Sequence, residues 1–169
     1  MRIVLLGYMA SGKSAIGKAL AKKKDLKIID LDSYIEEREQ MSISNIFSDK
    51  GEIYFRKKEG EYLNELFDLY DNCIISVGGG TPCYGNNMDS ISKNSTAIYL
   101  KASIDTIFNR LLRGAAKRPL VATIGTDNLK EYIAKHLFER SPYYERAHKT
   151  IKVDDKSIDE NVNAILQLL

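Results

Sequence analysis

Gly7, Gly12, Lys13 and Ser14 stand in the spacing Gly-x4-Gly-Lys-Ser, directly after the apolar run Ile3-Val4-Leu5-Leu6. Glycines so placed let the backbone wrap an anion and turn several N–H groups onto it. A helix starting at Lys13 would add the positive end of its dipole. Lys13 can then reach the β- and γ-phosphates of a nucleoside triphosphate, and Ser14 can ligate Mg2+. A glycine-rich turn with an incidental lysine has the same composition. The strand before and the helix after it are the context that phosphate binding requires.

Five further groups could act on such a nucleotide. Asp30 and Asp32 are separated by one residue at the end of a second apolar run. In extended chain both carboxylates face one way, one for the magnesium shell and one for acceptor hydroxyls; helix capping by Asp32 is the plainer alternative. Arg56 and Glu59 are three apart on a helical pattern and share a face, where a surface ion pair of little energetic weight is expected. Gly78-Gly79-Gly80 permits backbone to approach a ligand closely. Arg113, Lys117 and Arg118 lie in the aperiodic stretch 113–125, which reads as a loop and a candidate lid that closes on transferring charge. Arg140 precedes Ser141-Pro142, so a helix end and a bend are expected beside it.

The elements that must hold these residues alternate. Strands are expected over 2–6, 26–31, 73–77, 96–100 and 150–154. Helices are expected over 13–24, 42–52, 53–70, 103–112, 128–140 and 157–169, the last opened by Ser157 and Glu160 in capping-box spacing. Alternation of this kind implies crossover connections and a parallel α/β sheet. Ligands of such sheets bind at the carboxyl ends of strands, where Gly7, Asp32 and Gly78 fall. The net charge of +2 is too mild for a nucleic-acid surface. Two cysteines make no disulfide framework or zinc site, and no apolar run approaches the roughly 18 residues of a membrane span. The opening "MRIVLLGYMA" is too short for a secretory signal, and Lys13 and Lys18 interrupt the next stretch of chain. A single cytoplasmic domain spanning 1–169 is therefore expected. A guanine-reading Asn-Lys-x-Asp is absent, which argues against a GTPase.

Taken together, "GYMASGKS", "DLD", "IFSDKGEIYFRKKE", "SVGGG", "KRPL" and "RSPYYERA" resemble shikimate kinases in order and spacing, over nearly the whole chain. The resemblance implies a three-layer P-loop kinase fold, a five-stranded parallel sheet with helices on both faces. It implies ATP-dependent phosphorylation of the shikimate 3-hydroxyl in aromatic amino-acid biosynthesis. Site residues carried over by motif are Asp32, Arg56, Gly78, Gly79, Gly80 and Arg140 for shikimate, in a segment of about 32–60 together with the later motifs. For ATP they are Gly7, Ala10, Ser11, Gly12, Lys13, Ser14, Ala15, Arg113, Arg118 and Lys156. Lys13, Asp32 and Arg118 would be the catalytic groups, with one Mg2+ on Ser14 directly and on Asp30 through water. A monomer without nucleic-acid or membrane partners is expected. Ala10 and Ala15 depart from the family's usual glycine and threonine, and Lys156 stands near where an arginine is common. Two rivals remain: a gluconate or nucleoside monophosphate kinase of the same architecture, and a nucleotide-binding regulator without activity.

Overall fold

A computed structural model describes residues 1–114 and 119–169. Among them, β1 (Arg2–Leu6), β2 (Lys27–Asp30), β3 (Cys73–Ser76), β4 (Thr96–Lys101) and β5 (Lys149–Lys152) form one sheet in the order β2-β3-β1-β4-β5. All four neighbouring pairs run parallel. Side chains alternate between faces along a strand, yet Ile3–Leu6, Cys73–Ser76 and Ala97–Leu100 are buried without exception. Both faces of the sheet are therefore covered, which is why these strands read as unbroken apolar runs.

The covering helices are α1 (Lys13–Lys24), α2 (Leu31–Glu39), α3 (Ile43–Lys50), α4 (Glu52–Leu69), α5 (Asn87–Asn94), α6 (Ile104–Arg113), α7 (Pro119–Ile124), α8 (Thr126–Tyr144) and α9 (Ile158–Leu168). The capping box that opens α9 has both of its reciprocal bonds. Three elements depart from expectation. Leu31–Glu39 is helical although only Leu31 and Ile35 are buried in it, too sparse an apolar stripe to be visible in the sequence. Asn87–Asn94 likewise buries a short mixed set, Asn87, Met88 and Ile91. The 113–125 loop is in part the helix α7, with Pro119 at its first position, a place that tolerates a missing N–H.

Central β1 is the strand followed by the phosphate-binding pattern. Groups that follow β2 and β3 stand on one side of it, and groups that follow β4 and β5 on the other. That order fixes the layout of the site.

Candidate active site

The turn after β1 has the form of an anion-binding site. Gly12, the residue before α1, has φ 97°, and no side chain caps the helix. The first amides of α1 are thus directed into the turn without a side-chain acceptor, as an anion-holding helix end requires. Lys13 Nζ folds back to donate to the carbonyls of Gly7 at 2.8 Å and Tyr8 at 3.0 Å. Ala10 sits at φ 60°, a conformation that costs any residue with a Cβ. Its carbonyl accepts from Arg110 Nη1 at 3.0 Å.

The two aspartates reach the site by another route than alternation along a strand. β2 ends at Asp30, and Leu31 already begins α2. Asp30, rather than Asp32, caps that helix: its Oδ1 accepts from the Ser33 amide at 3.0 Å. Asp32 lies one step on, in the first turn of α2, and both carboxylates line the same cavity. Burial drives the pKa of Asp32 up to about 6, the carboxylates of Asp30 and Glu59 push in the same direction, and the Lys13 ammonium opposes them.

Two arginines stand against the backbone of Gly79 and Gly80. The pair of Arg56 with Glu59 is not a surface one, although Arg56 Nε also lies 3.6 Å from the exposed Glu52 carboxylate. Glu59 is 1% exposed, its Oε1 accepts from Arg56 Nη1 at 3.0 Å, and its Oε2 accepts from Thr81 Oγ1 at 2.7 Å. The Tyr84 ring lies 4.0 Å from the Arg56 guanidinium, and the Tyr84 hydroxyl reaches Glu52 at 3.1 Å. Thr81 and Tyr84 lie far along the chain, so this burial has no local signature in the sequence. Arg140 is in the body of α8 and not at a helix end, because α8 runs through Pro142 to Tyr144. Tyr144 is fully buried, packs against Tyr99 and donates to the Gly79 carbonyl at 2.6 Å, which holds the helix together beyond the proline. Proline deprives the Phe138 carbonyl of its usual donor, on a face exposed to water.

The glycine triplet is what the arginines press on. A Cβ on Gly79 would stand 2.9 Å from Arg140 Nη1, and one on Gly80 would stand 2.8 Å from Arg56 Nη1. Gly78 abuts the Asp32 carboxylate, whose Oδ1 would be 3.3 Å from such a Cβ. Asp32, Arg56 and Arg140 thus converge on Gly78, Gly79 and Gly80, a negative group and two positive ones around one small space.

A cavity of about 640 Å³ runs from Asp30, Asp32, Gly78 and Gly79 past Lys13 and Ser14; Arg56 and Arg140 stand behind Gly79 and Gly80 rather than in its lining. Ala10, Gly12 and Ala15 form its wall there. Ser11 is buried within the turn, and Gly7 lies below it, a Cβ there meeting the Leu100 carbonyl at 2.7 Å. On the β4–β5 side the cavity ends at Arg110, Lys156 and Asn161. Arg113 is exposed in the last turn of α6 and borders an adjoining space of about 270 Å³ with Arg110 and Lys156. Lys117 and Arg118 lie outside the described residues. Arg110 and Asn161 are not singled out by sequence: an arginine within a helix reads as solvated, and an asparagine in α9 carries no motif. The spacing of Arg110 three residues before Arg113, on one helix face, is the signal that could have found it.

The oxygen donors fit a magnesium ion. Ser14, Asp30 and Asp32 line one wall, and Mg2+ is held by one or two carboxylates, substrate phosphates and water rather than by an all-protein cage.

The chain is similar to known proteins over its whole length. The family model for shikimate kinase matches residues 9–169. A shikimate kinase of Flavobacterium johnsoniae is 50% identical, with 99% of this chain and 98% of that protein covered. A crystal structure of shikimate kinase from Bacteroides thetaiotaomicron superposes with a TM-score of 0.93 at 34% identity, covering 99% of this chain and 97% of that one. The Acinetobacter baumannii shikimate kinase in complex with shikimate superposes with a TM-score of 0.87 at 30% identity, covering 99% and 91%.

Proposed function

The chain belongs to the shikimate kinase family, and from that premise we propose how its residues divide the work of phosphorylating shikimate. The reaction takes ATP and shikimate to ADP and shikimate 3-phosphate, a step of aromatic amino-acid biosynthesis. The 3-hydroxyl oxygen forms a bond to the γ-phosphorus, and the bond from that phosphorus to the β–γ bridging oxygen breaks. The hydroxyl proton goes to Asp32 or to solvent.

Positioning carries most of such a transfer, since the transition state is loose and asks little covalent help of the protein. Arg56 and Arg140 hold the shikimate carboxylate, a pairing that suits guanidinium forks, and the bare backbone of Gly78, Gly79 and Gly80 lets the ring sit close. Asp32 accepts from the hydroxyls and aims the 3-hydroxyl; its role as a base is secondary. Glu59 and Tyr84 keep Arg56 aimed. The turn from Gly7 to Ala15 holds the phosphates, with Lys13 on the transferred group, and Arg113 and Lys156 stand by the nucleoside. Arg118, in a lid of about 113–125, is assigned by its motif to the same moving charge. One Mg2+ would be held by Ser14, with Asp30 acting through water; when bound, it neutralises charge on the β- and γ-phosphates.

The observation that carries this reading is the convergence of Asp32, Arg56 and Arg140 on the glycine triplet, beside the phosphate turn. Two arginines and a carboxylate around bare backbone suit a small hydroxylated carboxylate, whose carboxylate pairs with the guanidinium groups while its hydroxyls donate to Asp32. We read the chain as a single domain of 1–169 that acts as a monomer. Among the described residues no helix is long and apolar enough to cross a membrane, and we place the enzyme in the cytoplasm with the rest of its pathway. ADP release with shikimate, gluconate and CMP as parallel acceptors tests the acceptor assignment. Stimulation by shikimate alone is expected; stimulation by gluconate or CMP without shikimate would overturn it.

A further inference from the structure

The β4–β5 end of the cavity holds a side chain that the phosphoryl transfer does not use. Asn161, in α9, is 2% exposed and lines the cavity beside Lys156 and Ile158. Its Nδ2 donates to the Ser157 carbonyl at 3.0 Å. That carbonyl can only accept, so it fixes which way the amide is turned. Oδ1 is left buried with no hydrogen-bond partner, an uncommon state for a polar atom in a folded protein. The other such side-chain atoms among the described residues are Ser11 Oγ, in the phosphate turn, and Arg56 Nε, which has Glu52 Oε1 at 3.6 Å in an ion pair.

Sheet order determines what part of the nucleotide meets Asn161. The phosphate turn follows central β1, and the acceptor groups follow β2 and β3. The transferred phosphoryl must point toward them, so the nucleoside extends the opposite way, past β4 and β5. Arg110 and Lys156 there carry only donors, whereas Asn161 Oδ1 is an acceptor. The adenine base has one donor, its exocyclic 6-amine; guanine and hypoxanthine carry an oxygen at that position. We infer that Asn161 reads the base: Oδ1 accepts from the 6-amine of ATP, and a 6-oxo purine would set two acceptors against each other. This assignment rests on the kinase reading above.

The test compares ATP with purine riboside triphosphate, the same nucleotide without the 6-amine, in shikimate-dependent turnover by the whole chain. Wild type should prefer ATP by about tenfold in kcat/KM, the scale of one neutral hydrogen bond to an otherwise unpaired acceptor, and the difference should lie in KM. Asn161→Ala should handle the two nucleotides alike. Calorimetric binding of ADP and purine riboside diphosphate should show the same pattern without turnover. Equal use of both nucleotides by wild type would overturn the assignment, as would an Asn161→Ala protein that keeps the preference. Should Asn161→Ala fail to fold, Asn161→Ser takes its place, with loss of the ATP preference expected and its retention overturning the assignment. Absence of shikimate-dependent ADP release from wild type with ATP would instead strike the kinase reading, and the base assignment with it.

Discussion

Replacing Asp32 by asparagine should strengthen the free protein while weakening its hold on shikimate. Burial and the neighbouring Asp30 and Glu59 carboxylates raise the pKa of Asp32 from its ordinary 3.8 to about 6. A displacement of about two pH units corresponds to about 3 kcal/mol of penalty on the ionised form. Asparagine removes that penalty. It also removes a negative charge from the first turn of α2, a placement worth about 0.5 kcal/mol. A net gain of about 2 kcal/mol in neutral buffer results, or about 4–8 °C in Tm for a domain of this size. The folded-state pKa lies above the unfolded one, so the native state binds the extra proton. The stability this gives is fully present below pH 4 and is lost as pH rises through 6. The variant's advantage should therefore be absent at pH 4 and complete by pH 7–8. Hydrogen bonds to a charged group are worth about 1.5–3 kcal/mol, so shikimate affinity should fall by about one to two orders of magnitude, with ADP affinity close to wild type. Thermal melts of both proteins between pH 4 and 8, with calorimetric titrations at pH 7.5, measure each half. A variant less stable than wild type at pH 8, or an advantage independent of pH, would refute the electrostatic argument; unchanged shikimate affinity would refute the binding role.

Lys13→Ala should keep the fold and lose nearly all turnover, since little else in the turn supplies charge to the transferred group; a folded variant with half the wild-type kcat would contradict this. Glu59→Ala should cost about 2 kcal/mol in urea unfolding, because it leaves the buried Thr81 hydroxyl without its acceptor and Arg56 with only the exposed Glu52, and should raise KM for shikimate more than it lowers kcat. Ala10→Gly should stabilise by about 0.5 kcal/mol, relief of the left-handed φ outweighing the greater freedom of the unfolded glycine; a loss of stability would show that Ala10 is unstrained. In limited proteolysis, cleavage within 113–125 should slow when shikimate and a non-hydrolysable ATP analogue are both present, and equal rates would argue against a lid.

The phosphate turn is legible because its information is local: eight consecutive residues state both the geometry and the charge. The strands are legible because a sheet covered on both faces demands unbroken apolar runs. What sequence hides is whatever depends on partners far along the chain. Arg56 and Glu59 read as a surface pair, and only Thr81 and Tyr84 make them a buried clamp. Pro142 marks a helix end by local rules, and Tyr144, anchored on Gly79, overrides it. Asp30 takes the capping role considered for Asp32 because the chain leaves β2 one residue earlier than its apolar run suggests. Asn161 and Arg110 are invisible for a simpler reason: each is an ordinary residue on a helix until the sheet order brings it to the cavity.

The same sheet order has a consequence for how the chain is made. β1 emerges first from the ribosome, yet its neighbours are β3 and β4: Ile3 pairs with Ile74 and with Thr96. At about 5–20 residues per second, the strand that carries the phosphate turn waits on the order of 5–20 s for its second partner. Until β3 follows, Ile3-Val4-Leu5-Leu6 has no sheet to enter, and until β4 follows one of its edges stays open; contacts so distant in sequence form slowly once they can. The segment on which nucleotide binding depends is thus the one that a nascent chain keeps exposed longest, and a chaperone that binds short apolar stretches should find it first.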